Sequence, residues 1–553
     1  MPTFLLRAYS KTEGRVIVIA HQDETPFYNI DTAIIDPVVV LNAAIERAFY
    51  RLNNDDFVPW KFHPRDSDFE PHQPPYQSPN LIQAINVTQQ KPDPVNVFKA
   101  ETGEVDESYG LDIDTAGNIT IIADSILGLL HGLTTVTQLF YTHSSGGVYT
   151  PYAPISILDS PSFPHRGLNL DIARNWYPPD EIKRVLEALS WNKFNRLHLH
   201  ATDAQSWPLE IPSLPLLASK GAYAPSLTYS PATLADLHKF ALYRGIQLTI
   251  EIDMPGHTAA IAHAFPDLIT APDILPDWPT YSAEPPTGQL KLNYTPVTTF
   301  LSTLWSDLLP RLAPFTSTFH TGGDEVNRNA YLLQPDLHTN DTAILQPLIQ
   351  SFTDTNHAAI RAAGLTPIVW EEMVLDINLT LPLDTIVQTW GSIPNSTALA
   401  VEKGYRVIAG DYNSWYLDCG RGSWLDNIPG SKTALPWPYV DYCTPVKNWR
   451  TIYAFDPLDG VPANLTHLVL GGEVSLWSEQ TDPGNVDEML WPRAGAAAEI
   501  LWRGGRDEQG MNRSQVEASP RLAEWRERML HRGVRGAPVQ MVHCTMETGA
   551  CEI

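Results

Sequence analysis

The chain is 553 residues long and 43 % hydrophobic, which allows one barrel-sized domain plus a smaller one, because single cores stop growing at roughly 250 to 300 residues. Its 63 acidic residues against 37 basic ones give a formal charge of −26, a field that repels phosphate backbones and anionic lipid surfaces, so nucleic acid is not an expected partner. No apolar run approaches the roughly 18 residues that a membrane-spanning helix needs, and no membrane association is expected.

Residues 1–160 read as a small α+β domain. Apolar alternation marks strands at Arg15–Ala20, Leu81–Val87, Tyr109–Ile113 and Ile119–Ile122, while Ser125–Tyr141 carries helical apolar spacing. Val58–Pro79, rich in Pro, Asp and His, reads as a loop.

From Pro164 the pattern becomes strand, loop, helix, repeated, as in a parallel α/β domain. Eight strands are predicted, at Gly167–Leu170, Arg196–His200, Gln247–Ile252, Thr316–His320, Pro367–Trp370, Thr385–Thr389, Tyr405–Ala409 and His467–Leu470. Ser230-Pro231 and Thr295-Pro296 are expected to cap and open two of the intervening helices. Asp171-Ile172-Ala173-Arg174 follows the first strand where a doubly wound sheet would carry a glycine-rich phosphate loop. The expected fold is therefore a (β/α)8 TIM barrel over residues 161–510, closed by a helix at Pro492–Trp502, with a tail at 511–553 lying outside it.

Barrels of this kind place their chemistry at the C-terminal ends of the strands. Here successive strand ends supply Arg174; His200 and Asp203; Asp253 and His257; Asp324 and Glu325; Trp370; Trp390; Tyr416; and Trp477 with Glu479. In His320-Thr321-Gly322-Gly323-Asp324-Glu325 two glycines permit a tight turn that delivers adjacent carboxylates to the strand mouth. Glycosidases that use two protein carboxylates hold them about 5 to 9.5 Å apart across the sugar, which consecutive residues do not easily achieve. With Glu325 as proton donor, Asp324 is free to bind a substrate N–H, as of an acetamido group turned inward to attack the anomeric carbon. Such an intramolecular nucleophile gains an effective molarity of about 10⁵ M or more.

The strings RGLNLDIARNWYP, HLHATDAQSWPLEI, EIDMPGHTAAI, HTGGDEVN, VWEEM, QTWG, SWYLDCG, GGEVSLWSEQTD and LWPRAGAAAEILW resemble those of family 20 glycoside hydrolases, and fungal β-N-acetylhexosaminidases in particular. DESYGLDI and SILGLLHGLTTVTQL are similar to that family's small α+β domain, so the likeness spans nearly the whole chain. The resemblance implies substrate-assisted hydrolysis of terminal N-acetylhexosamine from oligosaccharides or glycoconjugates, a mechanism for which this family is itself a standard example, with no cofactor and no metal.

By position it implies that Glu325 is the general acid and later the base, that Asp324 orients the acetamide, and that Tyr416 bonds its oxygen. Trp370, Trp390 and Trp477 then form an aromatic box, and Arg174, Asp418 and Glu479 hold the hydroxyls of the terminal sugar. Asp203 and His257 match a buried relay to the acid. HLH stands where WHI is commoner, which leaves His200 open between packing, support and direct contact. The likeness is compatible with a homodimer formed through barrel loops, for which no residue pattern is diagnostic.

Two other readings compete. A metal-dependent hydrolase would use His198, His200, Asp253, His257 and His320, although a residue at His198 also suits the packed barrel interior. A sugar-binding protein without activity would be expected to lack the acid or its partner, and both Asp324 and Glu325 are present.

The four cysteines fall into two local pairs, Cys419 with Cys443 and Cys544 with Cys551, which favours two disulfides and an oxidising compartment. Sequons occur at Asn86, Asn118, Asn293, Asn340, Asn378, Asn395, Asn464 and Asn512. The expectation is a secreted glycoprotein, with the vacuole as the alternative. The opening residues hold too short an apolar run for an export signal, which is expected to be missing from this sequence.

Overall fold

The computed structural model describes residues 4–6, 35–72, 81–82, 84–426, 437–547 and 549–551. The strand expected at Arg15–Ala20 lies outside them.

In the N-terminal part, a four-stranded sheet runs in the order Ala84–Gln89, Asn118–Ala123, Tyr109–Ile113, Ile155–Asp159. Tyr109–Ile113 and Asn118–Ala123 pair antiparallel around a turn that Asp114 ties by accepting from the backbone N–H of Ala116 and of Asn118, each at 2.8 Å. The segment expected as one strand at Leu81–Val87 splits in two: Leu81–Ile82 joins a second small sheet, and Ala84–Gln89 joins the first.

Helices Pro37–Asn54 and Ile126–Gln138 bury Val40, Ile45, Leu129 and Leu133 in the core shared with this first sheet. Each helix is capped by a side chain, with Asp36 accepting from Val38 N at 2.9 Å and Ser125 from Gly128 N at 3.2 Å.

Eight parallel strands close into a barrel: β1 His165–Asp171, β2 Arg196–His200, β3 Gln247–Glu251, β4 Thr318–His320, β5 Thr366–Trp370, β6 Ile386–Thr389, β7 Arg406–Ala409 and β8 Val469–Leu476. Seven lie where the sequence predicts, and β8 overlaps its expected span only at Val469 and Leu470, because Thr466–Leu468 forms a 3₁₀ turn. β8 is longer than its expected span because Gly471 and Gly472 continue the strand; a Cβ on Gly472 would strike Ala409 O and Trp415. The register sets Asp171, His200, Glu251 and His320 side by side, so these four polar residues share one level at the barrel mouth.

The helices outside pack on the strands' outer faces around Leu170, Leu199, Ile250 and Val407 in one continuous core. Ser230 caps its helix as expected, accepting from Thr233 N at 3.1 Å. Thr295 does not: its helix starts one residue early, with Tyr294 at the cap and no side-chain cap bond. The closing helix spans Arg493–Arg503, and a further helix at Gln515–His531 lays Leu522 and Met529 on the barrel core.

Charged contacts join the N-terminal part to the barrel. Glu107, itself only 8 % exposed, accepts from Arg166 Nη1 at 3.1 Å and Asn195 Nδ2 at 3.1 Å, and pairs with His131 Nε2 at 2.8 Å. Burial works against the carboxylate, but Arg166 and His131 outweigh it and hold Glu107 well below the usual carboxylate range. Arg528 reaches back from the last long helix to donate to Phe140 O at 2.8 Å and lies 4.5 Å from the centre of the Tyr141 ring.

Among the described residues no helix is long and apolar enough to cross a membrane. Both cysteine pairs, Cys419–Cys443 and Cys544–Cys551, are disulfide-bonded. Six sequon asparagines are exposed: Asn293, Asn340, Asn378, Asn395, Asn464 and Asn512. Asn86 and Asn118 are half-buried on paired strands, and Asn118 donates to Asp114 Oδ2 at 2.9 Å.

Candidate active site

The loop after β4 delivers the two carboxylates. Gly322 and Gly323 take φ of 64° and 104°, and a Cβ on either would collide with Asp253 or with Met373. Asp253 Oδ1 accepts from Gly323 N at 2.7 Å and pins the turn. Glu325 itself stands at φ 50° and His257 at φ 52°, left-handed conformations that cost non-glycine residues about 1 to 3 kcal/mol and are held here by the packed loops.

Glu325 is the more open of the pair, its side chain 35 % exposed, and Oε2 lies 3.3 Å from His257 Nε2. The other nitrogen of His257, Nδ1, sits 3.1 Å from Asp203 Oδ1. Asp203 also meets His200 Nε2 at 2.5 Å and Arg174 Nη2 at 3.2 Å. Burial opposes charge on His257, yet Asp203 outweighs it and raises the imidazole well above its ordinary value.

Asp324 is enclosed. Its Oδ1 is a buried acceptor with no hydrogen-bond partner, and its acidity is weakened by burial and by nearby Glu325 and Glu251. Polar atoms of Asp253, His257 and Asp324 lie within 4.8 Å of one another. Burial and Asp324 lift Asp253 strongly, because two carboxyls this close in an enclosed site oppose each other's charge.

Four rings wall the space beside Asp324. Trp370 and Trp477 have centres 6.2 Å apart, Tyr416 and Trp477 6.1 Å, and Trp390 and Tyr416 6.3 Å with planes only 17° apart. Trp370, Tyr416 and Trp477 are buried with the Cys419–Cys443 disulfide, and Trp390 closes the group from a half-buried position. Burial holds the Tyr416 phenol well above its usual range.

Across from the box, Arg174 pairs with Glu284 at 2.6 Å and lies 5.1 Å from the Trp477 ring centre. Asp418 accepts from Trp477 N at 3.3 Å, and burial pushes its carboxyl up to about 7. Burial, reinforced by Glu284 and Asp418, lifts Glu479 well above the carboxylate range.

The structure thus gathers every strand-end residue singled out in the sequence around one mouth, and it adds others. Glu284 lies in a proline-rich loop between two short paired strands, Ile269–Thr270 and Gln289–Leu290, so no periodicity marks it. Glu371 and Glu372 belong to the quoted VWEEM string. Glu372 receives Trp390 Nε1 at 2.9 Å, and Glu371 accepts from Trp390 N at 2.8 Å and Ile393 N at 2.9 Å, which fixes the box's exposed wall. Tyr442, 6.0 Å from Tyr412, feels the charges of Asp418, Glu479 and Glu325, and stands at the rim.

His200 bridges rather than faces the mouth. Its Nδ1 lies 2.6 Å from Glu251 Oε2 while Nε2 holds Asp203. Glu251 Oε2 lies 3.0 Å from His198 Nε2, and His198 Nδ1 lies 3.1 Å from Glu473 Oε2. A buried file of alternating carboxylates and imidazoles therefore runs from Glu473, inside the barrel, to Glu325. Burial opposes the charge on His198, but Glu251 and Glu473 outweigh it and lift the group to about 9. The histidines weighed as metal ligands, His198, His200 and His320, have acid partners in this file, His320 Nδ1 lying 3.1 Å from Glu251 Oε1.

Asp203→Asn removes the charge that Arg174, His200 and His257 share. The imidazole of His257 should then lose most of what lifts it above its ordinary value. Its raised value lets it stay charged as pH rises, so the alkaline limb of kcat/KM is expected to move to lower pH, with a loss of about 10²-fold at the optimum. An unmoved limb in a folded variant would show that Asp203 is only a packing group.

A barrel whose mouth holds an open carboxyl next to an enclosed one has the arrangement that glycoside hydrolysis requires. Residues 163–505 match the model described as "Glycosyl hydrolase family 20, catalytic domain", and residues 8–139 match "beta-acetyl hexosaminidase like". The chain belongs to glycosyl hydrolase family 20.

It is 45 % identical over 548 residues to a beta-hexosaminidase of Arthroderma benhamiae, covering 96 % of this chain and 88 % of that one. It is 33 % identical to a chitooligosaccharidolytic beta-N-acetylglucosaminidase of Ostrinia furnacalis, covering 82 % and 76 % of the two chains. A solved chitobiase of Flavobacterium johnsoniae is similar in structure, with TM-score 0.68 and 27 % identity, covering 90 % of this chain and 68 % of that one.

Proposed function

We propose that the protein is an exo-acting β-N-acetylhexosaminidase that releases terminal N-acetylhexosamine with retention, using the substrate's acetamide as nucleophile. One observation carries the reading: the buried, unpartnered Asp324 Oδ1 stands beside a four-ring box, next in sequence to the open carboxyl of Glu325.

In this reading the acetamido methyl enters the box, its N–H donates to Asp324, and Tyr416 donates to its carbonyl oxygen. That oxygen attacks the anomeric carbon as the bond to the leaving group breaks, and Glu325 gives its proton to the departing oxygen. The cyclic oxazolinium ion so formed is positive, and Asp324 is the adjacent anion. Glu325, now a carboxylate, takes a proton from water as it attacks the same carbon and the ring reopens. Two inversions restore the configuration. Arg174, Asp418 and Glu479 hold hydroxyls of the terminal sugar and so confine cleavage to chain ends. The two disulfides and six exposed sequons support export to an oxidising compartment and glycosylation there.

The test is a matched panel of nitrophenyl N-acetylglucosaminide, N-acetylgalactosaminide and plain glucoside at acidic pH. At least one acetamido sugar should turn over about 10³-fold or more faster than the glucoside, since the latter has no nucleophile. Equal rates on the glucoside would overturn the mechanism.

A further inference from the structure

At the opposite end of the barrel from the active site, four arginines from different parts of the chain converge. Arg47 and Arg51 project from the helix Pro37–Asn54, Arg244 stands in the turn that precedes β3, and Arg532 follows the last long helix. Together with Thr137 and Trp191 they line a cavity of about 70 Å³.

The charges there do not balance. Arg244 pairs with Glu187, and Arg532 donates from Nε to Asp55 Oδ2 at 2.7 Å. Arg51 shares that same Asp55 at 3.9 Å. Arg47 contacts no carboxylate among the described residues; its Nη2 donates to Tyr243 O at 2.6 Å. Four cations thus face three anions, Asp55, Glu187 and the more distant charge of Glu46.

Hydrogen bonding is incomplete as well. Nη1 of Arg47 and Nε of Arg244 are both buried donors without a partner, and Arg244 is only 8 % exposed. A buried charged donor left unpaired costs more than its neutral counterpart. The like charges register on Arg47, which burial and Arg244 hold down to about 9.

We propose that this cavity binds one small tetrahedral oxyanion, inorganic phosphate or sulfate, which the guanidinium N–H groups grip and which pins the N-terminal helices to the barrel and the C-terminal helix. Planar guanidinium forks match such an ion's oxygens. The volume suits a single small ion, and the site is distinct from the sugar site because Arg244 lies at the start of β3 while Asp253 and His257 lie past its end.

The experiment uses the full chain in oxyanion-free buffer, with melting temperature and hydrolysis rate followed as sulfate, phosphate or chloride is added at matched ionic strength. Sulfate or phosphate should raise the melting temperature by about 2 °C or more, saturating, with no change in rate. Arg47→Gln should hydrolyse normally and lose that increment, while Arg47→Lys keeps part of it. General exclusion of sulfate from protein surfaces also stabilises, but it does not saturate and would survive in Arg47→Gln. Chloride acting equally, an increment unchanged in Arg47→Gln, or inhibition of hydrolysis by the oxyanion would each overturn the proposal. If Arg47→Gln fails to fold, Arg51→Gln, at the partly exposed edge of the cavity, carries the same comparison.

Discussion

Glu325→Gln is expected to lower kcat by about 10³- to 10⁴-fold on substrates with sugar leaving groups, while KM changes little. The side chain keeps its size and its place against His257, so sugar binding should survive; what disappears is the proton for the glycosidic oxygen. The loss should shrink steeply on nitrophenyl or better leaving groups, which depart without protonation. This dependence on leaving group separates the acid from a residue that only shapes the site. A uniform loss across leaving groups, or near-normal turnover of a disaccharide, would reject the assignment.

Asp324→Asn should cost about 10²- to 10³-fold in kcat, the range seen when one stabiliser of developing charge is removed from an enclosed site. Asparagine can still accept an N–H bond, so the deficit measures the missing charge beside the oxazolinium ion. Burial makes this term large, because the surroundings offer little screening. A thiazoline analogue of the cyclised intermediate should bind the native protein at least about 10²-fold more tightly than substrate, and most of that advantage should vanish in Asp324→Asn. A thiazoline that binds no better than substrate would point to a nucleophile on the protein, with Glu372 a carboxylate to test because Asp324's charge acts on it.

Much of this was legible in the chain because chemistry follows strand ends. Short apolar runs followed by charged or aromatic residues recur along the chain, and those residues gather at one end of the barrel. The glycines of the Asp324 loop were readable for the same local reason. Glu284 was not, since a loop rich in proline has no period and its side chain reaches Arg174 only after the barrel closes. The role of His200 was equally hidden. Two residues apart on one strand, His198 and His200 share a face, but which carboxylates meet them depends on the register between β2, β3 and β8. The expected eighth strand stopped at Leu470, before Gly471 and Gly472, yet these two continue it and are small because His165 and Ala409 press on the strand.

Sequence alone determined the eight barrel strands in their order and the small α+β unit before them, which depend on local period and local spacing, while the acid, its neighbour and the box came from the resemblance to a known family. Tertiary structure decided the rest: which of two adjacent carboxylates is enclosed, which is open, and which charges lie stranded at the far end of the barrel. Those are matters of desolvation and of partners distant in the chain, and the free energy of a buried charge is set by its surroundings rather than by the residue that carries it.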